Sequence, residues 1–407
     1  MSRTSIEVPG SKSMTQRALV IAALSSAGTP VELQRALICD DSHHLTAGLR
    51  ALGCGVEWSD TSVRVTPAAL RSSGEPISCG NAGTAVRFLS ALSLLVEGPL
   101  TIDGNERMRQ RPIAPLVDAL QHLGVRGRYV HQPGMPPIEL EREGITPREA
   151  SVACSPSSQF ASGLLLAAPR LEHGLRLTLE PPVVSRPYLE MTVAMMQRAG
   201  ARDTVWLDEH TIMVPPAAYT ATSLAIEPDW SSAAFVLAAA WIAGRDVEIP
   251  GLVPALHSLQ GDAVFGEWIR QIDDARPGED TLRFDLTDAP DLLPPLTAAA
   301  LFAPVPVHIS GAEHTRVKEC DRLAVLAREL RKLGAHIDER PDGFDLRPFT
   351  PAPGAGDGIE LEPEDDHRMA MTFGLMRLRM PGLRIRNTEC VTKSFPDFWT
   401  VLARIAG

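Results

Sequence analysis

The chain has 407 residues, with 50 acidic side chains against 39 basic ones, a formal net charge of -11, 44% hydrophobic and 22% charged residues. That balance belongs to an ordinary soluble globular protein of two or three domains, and its acidity argues against broad binding to nucleic acid, which a net anion repels outside a local basic patch. Four of the 39 cations are lysines, Lys12, Lys318, Lys332 and Lys393, and the rest are arginines.

The start of the chain, MSRTSIEVPGSKS, carries no apolar signal core, and the longest apolar run, residues 233–243, is too short to span a bilayer. Six scattered cysteines without a C-x-x-C pair and eleven histidines without H-E-x-x-H predict reduced thiols, no metal site and a cytoplasmic location.

In chain order, the first signal is Pro9-Gly-Ser-Lys-Ser-Met-Thr-Gln-Arg17, ahead of a small apolar segment over residues 18–27. A turn feeding a helix whose first turns carry Lys12, Ser13 and Arg17 makes an anion site of free amides, hydroxyls and cations. The same residues also read as a capped surface helix. Next comes Gly80-Asn-Ala-Gly-Thr-Ala-Val-Arg87, leading to an apolar helix over 88–96. Gly83 permits close backbone approach there, and Thr84 is expected to cap the helix. It is not a P-loop, because G-x-x-x-x-G-K-[ST] is absent. Three arginines then crowd Arg107-Met-Arg-Gln-Arg-Pro112 before a helix over 113–123, an arrangement that repels itself unless solvated or matched by an anion.

Ser155-Pro-Ser-Ser-Gln159 offers neutral donors at the start of a helix over 160–168, and Ser185-Arg-Pro-Tyr188 turns into a helix over 189–199. Pro215-Pro216 and the polar stretch 217–228 form the predicted crossing between lobes, and Asp229-Trp-Ser-Ser232 caps a long helix over 233–243. Further on come Asp291, Arg316-Val-Lys-Glu-Cys-Asp-Arg322, Asp365-Asp-His-Arg368 and Lys393-Ser-Phe-Pro-Asp397. A helix beginning near Lys318 would put Lys318 and Arg322 on one face, with Glu319 as a carboxylate held among cations.

A weak repeat runs through these elements. Helix endings of the type L-x-x-L-G begin at Leu49, Leu120, Met196 and Leu330, with degenerate copies at Glu267 and Phe398, spaced at roughly seventy residues or twice that. Each clear copy passes from a glycine into a strand such as 56–65 or 336–346. The period suits six β-α-β-α-β-β blocks in two lobes of three.

Taken together and in order, PGSKS, GNAGTAVR, RQRP, SSQ, SRPY, DWSSA, RVKECDR, DDHRMAM and KSFPD resemble the 5-enolpyruvylshikimate-3-phosphate synthase family of enolpyruvyl transferases, from Pro9 to Asp397. The resemblance implies an α/β (α+β) fold of two lobes, each of three β-α-β-α-β-β units, with the active site in the interlobe cleft. One lobe would hold residues 1–9 and 229–407, and the inserted lobe 10–228. The implied reaction is transfer of the enolpyruvyl group of phosphoenolpyruvate to the 5-hydroxyl of shikimate 3-phosphate, releasing phosphate, the sixth step of chorismate biosynthesis. No cofactor, nucleic acid or membrane is implied, and the expected state is a monomer.

On that resemblance Lys12, Ser13, Arg17, Ser157, Ser158, Gln159, Ser185, Tyr188, Asp291 and Lys318 bind shikimate 3-phosphate. Lys12, Asn81, Gly83, Arg111, Gln159, Arg322, Arg368 and Lys393 bind phosphoenolpyruvate. Asp291 accepts the proton of the attacking hydroxyl, Glu319 protonates the methylene carbon, and Lys12 lies between the two substrates. A tetrahedral ketal then loses phosphate. The substrates together bring about -6 at neutral pH, against seven cations and the two carboxylates Asp291 and Glu319. That arithmetic predicts an empty cleft that resists closure and a filled one that closes.

The sequence departs from the common family pattern at His314, where many members have Asn, at Phe88, where Pro is frequent, and at Trp230, where a small residue is frequent. Gly83 keeps the family's usual space for the herbicide glyphosate. The sister transferase acting on a UDP-linked amino sugar has Asn after its first lysine and a reactive Cys before its arginine. Here Ser13 follows Lys12, and residues 105–111 hold no Cys. A catalytically silent two-lobe binding protein is expected to have lost charged site residues that this chain retains.

Overall fold

Helices of two kinds alternate along the chain, and their composition fixes which layer each occupies. The computed structural model describes residues 3–26, 28–145 and 148–407, so Met1, Ser2 and the last residue of the predicted 18–27 run lie outside it. The chain divides into two units, one made of the residues up to Pro9 together with Glu227–Gly407, the other of Gly10–Ile226.

The inserted unit carries α1 (Lys12–Ala23), α2 (Asp40–Ala51), α3 (Gly83–Ala91), α4 (Ala114–His122), α5 (Gln159–Ala167) and α6 (Arg186–Ala199). α1, α3 and α5 are built of small and apolar residues on nearly every side, bury almost their whole surface and pack on one another at the centre. α2, α4 and α6 keep one charged face and lie outside them. The L-x-x-L-G repeats fall on these outer helices, and Gly53, Gly124 and Gly200 that end them take positive φ, the left-handed stop that glycine adopts at least cost.

Three four-stranded sheets share one topology. In each, a parallel pair is continued by two antiparallel strands: Ser223–Ala225, Val31–Gln34, Ser62–Thr66, Gly55–Trp58; then Ile77–Ser78, Leu100–Asp103, Ile138–Arg142, Val125–Tyr129; then Glu149–Ala153, Leu175–Glu180, Thr211–Val214, Val205–Trp206. The first sheet takes its outer strand from the far end of the unit, so the predicted crossing stretch 217–228 is partly a strand. The predicted single strand 56–65 is a hairpin, as is 336–346 further on, because Ser59-Asp-Thr61 and Pro341-Asp342 are turn formers.

The other unit holds α7 (Trp230–Ala243), α8 (Phe265–Asp274), α9 (Leu293–Leu301), α10 (Arg322–Arg331), α11 (His367–Met376) and α12 (Phe398–Ala406). The same alternation holds: α7, α9 and α11 are apolar all round and form the centre, while α8, α10 and α12 are amphipathic. Only one of its three blocks has a four-stranded sheet, Leu282–Asp285, Val307–Ser310, Gly343–Leu346 and Ile337–Arg340. The other two keep the parallel pairs Thr4–Ser5 with Val247–Glu248 and Glu360–Leu361 with Arg384–Ile385. After α8 only residues 275–281 precede the next block, too little chain for two more strands. Among the described residues no helix is long and apolar enough to cross a membrane.

Candidate active site

The predicted site residues gather where the central helices begin, in each unit separately. In the inserted unit, Lys12 and Ser13 occupy the first turn of α1, where the Ser11 side chain makes no capping bond. The first backbone amides of a helix lack intrahelical acceptors and attract anions. Lys12 Nζ lies 3.1 Å from the Asp41 carboxylate, itself buried at the start of α2.

Arg17, one turn further along α1, is 2% exposed and serves as a strut. Its Nε donates to Thr192 Oγ1 at 2.7 Å, Nη1 to the Ser13 carbonyl, and Nη2 to Ser162 Oγ and the Tyr188 carbonyl. One of its five N–H groups is left for a ligand. Burial pulls the guanidinium down to about 10, and the Phe88 and Tyr188 rings flank it. Phe88, where the family pattern has Pro, therefore packs on the strut that positions Ser13 and Tyr188.

α3 and α5 complete this half. Gln159 opens α5, with its backbone N–H received by Ser157 Oγ, and its Oε1 accepts from Arg87 Nη1 at 2.9 Å. Ser158 is buried at the cap position of the same helix. Ser185 takes left-handed φ at the start of α6, and its carbonyl accepts from Tyr188 N. Arg111, 4% exposed, reaches the Asn81 carbonyl and side chain at 3.4 Å each. Thr84 does not cap α3: Ala82 holds the cap position and Gly83 is already helical, so Thr84 lies too far into the turn.

Gly83 is the tightest point. A Cβ there would stand 2.6 Å from Arg87 Nη1 and 2.7 Å from Arg111 Nη2. Gly83→Ala is expected to push both guanidinium groups aside and raise KM for the anionic substrate on the order of 10–100-fold, with kcat changed less. Steady-state kinetics that leave KM in place would show that Arg111 does not need its present position.

In the other unit the charges interlock. Arg322 is 1% exposed and binds three carboxylates: Nε to Asp366 at 2.8 Å, Nη1 to Asp291 at 3.1 Å and Nη2 to Glu319 at 3.0 Å. Arg368 Nη2 holds the other Asp291 oxygen at 2.9 Å, and Lys393 Nζ holds the other Glu319 oxygen at 2.8 Å. The proposed base is thus shared by two arginines, and the proposed acid by an arginine and a lysine. Each local structure has a reason. Asp366 caps α11 by accepting from Arg368 N, Asp291 sits in the 3-10 turn Pro290–Leu292 leading into α9, and Lys393 ends the turn Thr388–Lys393.

Lys318 and Arg322 do not share a helical face. Asp321 caps α10 through Ala324 N, so the helix begins at Arg322, and Lys318 terminates the separate 3-10 turn Glu313–Val317. Lys318 lies instead in the field of His314, which is buried with no partner for Nε2 among the described residues. Burial first, then Lys318 and Arg322, pull His314 from 6.5 down to about 3. Between those values the unfolded chain takes a proton that the folded chain refuses, so stability falls as pH drops through that window. His314→Asn should remove that loss, worth about 2 kcal/mol between neutrality and pH about 5. Urea midpoints at the two pH values, compared with the unsubstituted protein, measure it. Equal acid losses in both proteins would mean that His314 is protonated in the fold.

Sequence reasoning missed four charged residues. Arg87 ends GNAGTAVR, and Asp366 lies inside DDHRMAM, so both were visible as motif letters. Asp41 and Asp262 stand in no motif, and only the fold brings them to the first turns of α1 and α7. These carboxylates change the charge arithmetic: beyond Asp291 and Glu319, Lys12 already faces Asp41 and Arg322 already faces Asp366. Self-repulsion of the empty site is weaker than a count of seven cations suggests.

The sequence profile of the EPSP synthase (3-phosphoshikimate 1-carboxyvinyltransferase) family matches residues 2–402. A protein of Syntrophobacter fumaroxidans named 3-phosphoshikimate 1-carboxyvinyltransferase is 36% identical, covering 99% of this chain and 97% of its own. One of that name from Methanoculleus marisnigri is 36% identical over 97% of this chain and 94% of its own. Among solved structures, EPSP synthase from Acinetobacter baumannii superposes with a TM-score of 0.77 at 23% identity, covering 99% of this chain and 95% of that one, which shows a common fold.

Proposed function

Since the chain belongs to the EPSP synthase family, we propose that the two groups of residues at its central helix starts are the two halves of one enolpyruvyl-transfer site. The chain transfers the enolpyruvyl group of phosphoenolpyruvate to the 5-hydroxyl of shikimate 3-phosphate in the shikimate pathway. The observation that carries the assignment of roles is the sharing of Asp291 by Arg322 and Arg368. An anion landing on those arginines competes with Asp291 for their N–H groups and releases its carboxylate toward the attacking hydroxyl. The same competition at Arg322 and Lys393 loosens Glu319, which takes a proton from solvent and passes it to the methylene carbon as the C–O bond forms. Glu319 then takes a proton back from the methyl carbon as the C–O bond to phosphate breaks, which regenerates the alkene, and Asp291 returns the hydroxyl proton to the leaving phosphate.

Ser13, Ser157, Ser158, Ser185, Tyr188 and Lys318 hold the shikimate ring and its phosphate, with Arg17 fixing Ser13 and Tyr188. Asn81, Gly83, Arg111, Gln159, Arg322, Arg368 and Lys393 line the phosphoenolpyruvate pocket. Lys12 spans both substrates, exchanging Asp41 for their charge. We place the enzyme in the cytoplasm as a monomer, in keeping with its lack of membrane-length helices among the described residues and its biosynthetic family.

A coupled phosphate-release assay with shikimate 3-phosphate and phosphoenolpyruvate should give turnover that a UDP-linked amino sugar does not support. Turnover with the UDP-sugar alone would replace this reading by that of the sister transferase. Four anionic substrate groups bridging cations of both units should also draw the units together. Small-angle scattering is expected to give a smaller radius of gyration with both substrates than with neither, and an unchanged radius would count against closure.

A further inference from the structure

Asp262 is a buried carboxylate that the chemistry above does not use. It lies 3% exposed in the 3-10 turn Gly261–Val264, ahead of α8. Gln260 braces that turn rigidly: its side chain donates to Glu227 and to the Pro228 carbonyl and accepts from Trp230 N at the start of α7. The Ser231 hydroxyl, one residue into α7, donates to Asp262 Oδ2.

The strongest charges in its field are unequal in sign. Asp229 faces it from the cap of α7, Asp291 from the turn before α9, and Arg368 from α11. On α8, Glu267 pairs with Arg270 at the surface. Asp229, Asp262 and Asp291 therefore share the field of Arg368, whose Nη2 pairs with Asp291, and Asp291 also pairs with Arg322. Asp229 in turn is held by Ser232 N and Oγ as the helix cap. Burial first, then the Asp291 charge, push Asp262 up to about 7, against the pull of Ser231 and Arg368. Desolvation and like charge both favour the neutral acid.

We infer that Asp262 is a positioning residue that takes up a proton from solvent when an anionic substrate group settles on Arg368, and returns it when that group leaves. The incoming negative charge adds to those already facing Asp262, and one proton on this carboxyl offsets it. Neutral Asp262 leaves Arg368 to the substrate and leaves Asp291 as the ionised partner. Ionised Asp262 competes for Arg368 and weakens its hold on the substrate. The inference rests on the proposed role of Arg368 in binding phosphoenolpyruvate.

The first readout is the pH profile of kcat/KM for phosphoenolpyruvate. The unsubstituted enzyme should lose activity as pH rises from about 7, approaching tenfold per unit. Asp262→Asn, permanently neutral, should stay level through that range. Ser231→Ala, which removes the donor that favours the charged form, should move the falling limb to higher pH. Loss of activity by the same factor at every pH, with the limb in place, would reduce Asp262 to a packing role and overturn the inference.

The second readout counts protons. Calorimetric titration of phosphoenolpyruvate into the shikimate 3-phosphate complex of Glu319→Gln, which slows turnover enough to resolve the binding heat, is run in buffers of different ionisation enthalpy. Proton uptake is expected near pH about 7.5 and should vanish when Asp262→Asn is added. Uptake that persists overturns the inference, whereas failure of phosphoenolpyruvate to bind any form overturns the assignment of Arg368 instead. If Asp262→Asn does not fold, the unsubstituted enzyme decides alone: a level profile across this range sinks the proposal, and a falling limb that Ser231→Ala shifts upward sustains it.

Discussion

Glu319→Gln is expected to lower kcat by about 10²–10⁴ while leaving the binding of both substrates within a few-fold. The amide is isosteric with the carboxylate, so its oxygen can still accept from Arg322 Nη2 or Lys393 Nζ, the two partners that hold Glu319 at 3.0 and 2.8 Å. What the amide cannot do is deliver a proton to the methylene carbon. Single-turnover quench experiments should therefore show a slow first step with a normal ternary complex. A variant that turns over at the original rate would remove Glu319 from acid catalysis and pass the role to another group. Loss of binding with unchanged chemistry would mark Glu319 as a brace for Arg322 only.

Arg322→Met is expected to be the most damaging change to stability, costing about 3–5 kcal/mol and most of the activity. Asp366 is fully buried and Glu319 nearly so, and both rely on this guanidinium. Removing it leaves two carboxylates in a poorly solvated place, and an unpaired buried charge costs far more than a missing surface pair. Arg322→Lys keeps one charge but offers no fork to reach Asp366, Asp291 and Glu319 at once, so it should recover part of the stability and little of the activity. Urea unfolding of the three proteins orders them. Adding Asp366→Asn to Arg322→Met should restore part of the loss, and a double variant no more stable than the single would place the cost in packing instead of charge.

The architecture was legible because it repeats. A helix that is apolar on every side has one place to go, and the runs read after Lys12, Gly83, Gln159 and Asp229 all occupy a centre, as do the helices after Asp291 and Asp366, which were not read from the sequence. The L-x-x-L-G endings marked the outer helices equally well. The antiparallel partners were less visible: a hairpin such as Gly55–Trp58 with Ser62–Thr66 reads as one strand when its turn is short. Two blocks of only two strands could not be foreseen from the period alone.

The site was legible in its cations and much less so in its anions. Arginines and lysines stood out because they fell in motifs, whereas Asp41 and Asp262 matter through distance in space from Lys12 and Arg368. Lys318 was misplaced for a local reason, the side-chain cap that Asp321 gives to α10. Arg17 was expected from the resemblance to bind shikimate 3-phosphate, and the inward turn of most of its donors, to Thr192 and Ser162 among others, had no signal in the sequence. Which way a side chain points along a helix is set by what packs beside it, and that neighbour comes from 145 or 175 residues away.

The strand Thr4–Ser5 pairs with Val247–Glu248, and everything in the inserted unit is synthesised between them. At roughly 5–20 residues per second, the first strand waits on the order of 10–50 seconds for its partner to leave the ribosome. Val31–Gln34 waits almost as long for Ser223–Ala225, but that pair closes within the inserted unit and is complete before Val247–Glu248 is made. Birth order is therefore imposed by threading: the second-made half of the enzyme must recover its opening residues from beyond a finished neighbour. A nascent chain stalled once Ile226 has left the ribosome but before Val247 has should already resist protease over Gly10–Ile226, while its first nine residues remain open to cleavage.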